Sequence, residues 1–237
     1  MTRRQRPKVY RKTADSSRLL RRWRSWLPSM GDDLSHLIGK REIFWGLQEV
    51  AKENNRFLDP RSFFDWMCEN YVVTASIEIR KFVDADSRSR SLWRMLYEIL
   101  EYPGIINREQ HVAIYTPRPG QEYGQIAFDN VVGRKCLVLP QQQIRSDLRK
   151  IEDASERIRK FVNKRVAHRA RPGALRRLPK FNELDGAIDA VDVVFCKYNL
   201  LLSGHAFESM HAHRQYNWRK VLWDPWIPTG STLHPET

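Results

Sequence analysis

Cysteine is scarce in this sequence. Cys68, Cys136 and Cys196 are an odd number at wide spacing, which argues against a disulfide framework. No CxxC pair occurs, so a cysteine-based zinc site is not expected. Long apolar runs are missing too. No stretch of about 18 uncharged apolar residues exists, so no segment is expected to span a membrane. The basic start of the chain lacks the apolar run of a secretory leader, and the expected location is cytoplasmic. Glycine (11) and proline (12) are too few in 237 residues for a fibre or a wholly disordered chain. Strict apolar–polar alternation is lacking, so no sheet is expected. The phosphate loop G-x-x-x-x-G-K-[ST], the dinucleotide fingerprint G-x-G-x-x-G and the G-x-S-x-G elbow are all absent. No cofactor is expected. His205, His211 and His213, with Glu208 as the nearest carboxylate, make a weak metal set, and no metal site is assigned.

What the chain has is positive charge. Forty-one Lys+Arg against 28 Asp+Glu give +13 and a pI near 9.9. Such an excess draws polyanions, with RNA or another nucleic acid first and an anionic surface second.

Apolar spacing predicts an all-α protein. Helices are expected from Ser16 to Trp26, closed by Pro28; from Asp33 to Asn54; and from Pro60 to Val83, the last read as a buried helix. Ser89 to Glu101 carries Leu92, Met95, Leu96, Ile99 and Leu100 at helical spacing. Residues 103–133 read as an irregular insertion, with Asn107 able to cap a short helix and another short helix over Gln125–Val132. The longest helix is expected over Gln141–His168, with Ile144, Leu148, Ile151, Ile158 and Val162 on one face. A final helix over Asn182–Leu202 carries a seam of Leu184, Ile188, Val191, Phe195, Tyr198 and Leu202. These two should pack antiparallel, and Gly204 should end the second. The domain organisation expected is a basic flexible arm (1–12), one helical domain (13–228) and a disordered tail (229–237). Within the Trp-rich end NWRKVLWDPWIP, Val221, Leu222, Trp223 and Trp226 should pack back on the bundle.

Arg18, Arg21, Arg22 and Arg24 interleave with Trp23 and Trp26. They read either as a base-stacking, phosphate-pairing surface or as an apolar stripe edged by wet arginines, the second being favoured. Asp84 reads as an anchor for an arginine.

The candidate site is RIRKFVNKRVAHRARPG, residues 157–173. Arg165 and His168 are three positions apart, so their side chains can reach one spot at the end of the long helix. At about 100° per residue Arg165 falls on the flank of the apolar stripe, where a cation needs a carboxylate, a subunit interface or an anionic ligand. RNA supplies its own nucleophile, the 2′-hydroxyl. His168 could then move the proton, Arg165 hold the phosphate, and Asn163 hydrogen-bond phosphate or sugar. Arg159, Lys164, Arg169 and Arg171 supply further positive charge for the RNA backbone.

NKRVAHRA near the end of a long helix, followed by a second amphipathic helix, resembles the signature helix of the HEPN superfamily. IRKFVDADSRSRSLWRMLYEI (79–99) and KYNLLLSGHAFESM with NWRKVLWDPWIP (197–228) resemble the AbiU-like abortive-infection group, and the likeness covers about residues 33–228. It implies a HEPN-like helical bundle, homodimerisation, a defence partner of antitoxin type, and a metal-independent RNase site in active members. His168 matches the family histidine. In the family four to six residues lie between the arginine and the histidine, and at those positions this chain has Asn163, Val162 and Phe161. The resemblance therefore implies cleavage with Arg165 or Lys164 as substitute, or RNA binding without cleavage.

Overall fold

A computed structural model describes residues 8–54, 58, 62–102, 104–115, 120–166, 179–211 and 216–223, with side chains from Ser16 onward. The described residues are helical, with no strand longer than a single bridge. No helix among them is long and apolar enough to cross a membrane.

Helix α1 runs from Lys8 to Glu53 without interruption, through Pro28. Two sequence expectations fail here. Pro28 does not close a helix, and Lys8–Lys12, read as part of a flexible arm, belong to α1. At 46 residues α1 is also the longest helix among the described residues, where the longest was expected over Gln141–His168. Proline inside a helix removes one backbone hydrogen bond and costs about 3 kcal/mol. Trp26, Leu27, Met30 and Leu34 surround it, all buried. Burial contributes about 1.5–3 kcal/mol for each such side chain, so their packing outweighs the proline. Ser25 and Ser29 hydroxyls donate to the carbonyls of Arg22 and Trp26 in the same stretch.

Helix α2 (Ser62–Phe82) returns along α1: Lys40 pairs with Glu78, and Gln48 reaches Cys68. Helix α3 (Leu92–Glu101) starts at Ser91, whose hydroxyl accepts from the Arg94 N–H. Asp84 pairs with Arg80 at 2.9 Å, so it does anchor an arginine. Asn107 caps α4 (Arg108–Ala113), accepting from the Gln110 N–H at 2.9 Å. Helix α5 (Gln121–Val132) starts one turn earlier than expected.

Helix α6 (Gln141–Phe161) and helix α7 (Phe181–Ser203) form the central pair. They run antiparallel: Arg157 meets Glu183 at one end, and Lys197 meets Asp147 at the other. All six seam residues of α7 and all five apolar residues read on α6 and its extension are buried. Gly204 ends α7 in the left-handed region at φ 77°, where a side chain would be strained.

Three carboxylates, Glu98 and Asp192 buried and Asp147 half-buried, tie the elements together. Glu98 of α3 accepts from Trp23 Nε1 (2.8 Å) and Arg94 Nε (3.0 Å) and pairs with Arg22. Asp147 takes Lys197 and the Tyr198 hydroxyl, and burial followed by Asp147 pushes the Tyr198 pKa far up. Asp192 accepts from Ser209 Oγ and the Met210 N–H, pinning the loop after α7. Beside it the buried Cys196 thiol is pushed up to about 12, mainly by burial, so it is a packing residue. Cys68 is half-buried.

The C-terminal expectation is corrected in part. A 3-10 turn (Trp218–Leu222) does return to α1, but through Trp218, packed on Gly46, and Arg219, paired with Glu49. Val221 and Trp223 are exposed, Leu222 is half-buried, and Trp226 lies outside the described residues.

Candidate nucleic-acid interface

The arginine–tryptophan stretch of α1 divides as its apolar spacing suggests. Trp23 is fully buried and Trp26 nearly so. Neither ring offers a face to a base. Arg22 lies over Trp26 and on Glu98, and Arg24 Nε donates to the Leu202 carbonyl. Trp23, Trp26, Arg22 and Arg24 are therefore structural, while Arg18 and Arg21 are exposed.

The end of α6 differs. Ile158, Phe161 and Val162 are buried and fix the helix against the core. Past Phe161 the backbone widens into a π turn, Val162–Val166. Its i→i+5 pattern ends the 100° step on which the sequence argument relied. Asn163, Lys164 and Arg165 consequently face solvent. Arg165 is not a cation set on the apolar stripe, and no desolvation cost has to be offset there. Arg159, one turn back, is half-buried. Basic residues at this end also suit the negative end of the helix dipole.

Four of the seven expected site residues, Arg159, Asn163, Lys164 and Arg165, thus share one end of α6. His168, Arg169 and Arg171 lie outside the described residues. Across this region charge is one-sided. From Arg157 to Lys180 the sequence has ten Lys/Arg and no Asp/Glu. Arg157 reaches Glu183 at 3.1 Å and Lys160 reaches Glu156 at 2.6 Å. The Lys160 hydrogen bond holds the Glu156 carboxyl below its usual range. Arg165 has no carboxylate partner among the described residues.

The π turn packs on α2. Beside it lies an open groove of about 770 Å³, walled by Cys68, Glu69, Val72, Phe161 and Phe181. The sequence missed the outer face of α2. The run FFDWMCENYVVTASIEI was read as buried, yet Phe63, Trp66, Val73 and Ile77 are exposed. Their spacing of three, seven and four marks a second apolar face, visible only once the core face (Phe64, Tyr71, Ala75, Ile79) is subtracted.

Among the described residues no three His, Cys, Asp or Glu side chains gather as a metal site would need. His205 is exposed, His211 lies 3.3 Å from Glu42, and His213 lies outside the described residues. His111 is the buried histidine. Its Nδ1 meets the Leu201 carbonyl at 3.1 Å, its Nε2 lacks a partner, and burial lowers its pKa.

No family model, no curated protein and no solved structure matches this chain.

Proposed function

We propose that this chain is a HEPN-type helical protein of the abortive-infection class, acting on RNA in the cytoplasm. The observation that carries the reading is the exposed basic turn at the end of α6, in a stretch with ten Lys/Arg and no acid. A phosphodiester backbone is the polyanion such a turn attracts. In the catalytic form of the reading, the RNA 2′-hydroxyl attacks its own phosphorus and the 5′-oxygen leaves. His168 transfers the proton, Arg165 holds the phosphate oxygens, and Asn163 hydrogen-bonds phosphate or sugar. Lys164, Arg159, Arg169 and Arg171 steer the strand. The reading includes a homodimer and a defence partner of antitoxin type.

A second reading, RNA binding without cleavage, has its own support. Two positions where the resemblance places an arginine, Phe161 and Val162, are buried and apolar. Incubation of a mixed RNA pool with wild type and His168→Ala separates the two. The catalytic form predicts products ending in a 2′,3′-cyclic phosphate from wild type alone. Equal cleavage by both rejects the role of His168. Uncut RNA that is nonetheless bound supports the second reading, and RNA neither cut nor bound rejects both.

A further inference from the structure

The outer face of α2 presents rings beside the basic turn. Phe63 and Trp66 lie stacked, with centroids 5.8 Å apart and planes 26° apart. They are 45% and 59% exposed, the values that decide their availability. Large aromatic side chains left this open lose burial that the core could have given them. One turn further along α2, Glu69 and Val73 wall a groove whose other side includes Lys180 and Phe161, the residue just before the π turn, and the π turn itself packs on α2. The exposed rings thus lie on the helix against which the basic turn packs.

We infer that Phe63 and Trp66 form a base-stacking platform for single-stranded RNA, whose phosphates run over the basic turn at Lys164 and Arg165. This rests on the proposed RNA-directed reading and names the kind of RNA. In a duplex the base faces are already stacked on one another, so an exposed ring gains an aromatic contact only from an unpaired base. Charge favours RNA over a second copy on this face, because a seam here would bring two basic ends together, and the proposed homodimer would then use another face. Glu69, an acid on the groove wall, repels phosphate but can accept from the amino group of a base. The arrangement thus places bases over α2 and the backbone over the turn.

The test measures anisotropy with a labelled single-stranded RNA of about a dozen nucleotides and with the same RNA annealed to its complement. Trp66 is exposed, so Trp66→Ala should fold as wild type does. It should weaken single-strand binding about tenfold, leave the duplex within about twofold, and keep the salt dependence, which counts phosphate contacts. Trp66→Phe should restore most of the loss. Undiminished single-strand affinity in Trp66→Ala, or equal losses on both RNAs, overturns the platform while leaving the RNA reading intact. So does a change of oligomeric state in sedimentation without a change in single-strand preference, which would make the face a subunit seam. Wild type that ignores both RNAs overturns the RNA reading itself.

Discussion

Two sets of arginines in this molecule look alike in sequence and differ in structure. Arg22 on α1 and Arg94 on α3 converge on the buried carboxylate of Glu98, with the Trp23 indole completing its shell. Arg165, on the π turn after α6, faces water without a described carboxylate partner. Both add to the +13 of the chain. The difference teaches that charge count does not locate a nucleic-acid surface. Burial and carboxylate partners separate an arginine that holds the fold from one left in solvent.

Glu98→Ala should break the comparison hardest. It leaves Arg94 and Trp23 Nε1 at a part-buried site without their acceptor, and a broken buried pair costs about 3–5 kcal/mol. Arg22 is 44% exposed and can turn to water, which places the expected loss near the lower end, about 3 kcal/mol. Urea unfolding would measure it as a lower midpoint at unchanged slope. RNA affinity of the folded fraction should not change.

Arg22→Gln and Arg165→Gln remove the same charge and should part company. The first should lower stability by about 1 kcal/mol, a partly exposed ion pair being worth no more, with little effect on RNA. The second should leave the unfolding midpoint in place and lower RNA affinity several-fold, with a salt slope shallower by about 1. Exchanged outcomes would reverse the assignment of the two sets.

Asn107→Ala tests a structural polar residue far from the turn. Loss of the α4 cap should cost about 1 kcal/mol, seen in thermal or urea unfolding, and leave RNA binding alone.

His111 gives the pH test. Burial holds its folded pKa below the ordinary 6.5, and its neighbours, Leu201 O, Tyr115 and Phe128, are uncharged. The unfolded chain therefore takes up the proton first. Stability from this group is complete above about pH 6.5 and is lost as pH falls through the folded value. Unfolding midpoints measured from pH 7 down to pH 5 should fall, and His111→Gln should flatten that fall.

The seam of α7 and the stripes of α3 and α6 were legible because each follows one apolar face with a period near 3.6 and meets the core everywhere. Pro28 misled because a local rule worth about 3 kcal/mol met tertiary burial worth more. The outer face of α2 was hidden by its own core face, since two apolar stripes on one helix read together as a buried segment. For the site, the residue types at the end of α6 were legible and their direction was not. A π turn carries no apolar period, and it rotated Arg165 from the stripe flank into solvent. His168 lies outside the described residues.

The most direct measurement is RNA affinity against salt for wild type beside Arg165→Gln. The account predicts that wild-type binding weakens steeply as salt rises and that the variant's line is less steep by about one phosphate contact. Binding that ignores salt, or parallel lines of equal height for the two proteins, would contradict it.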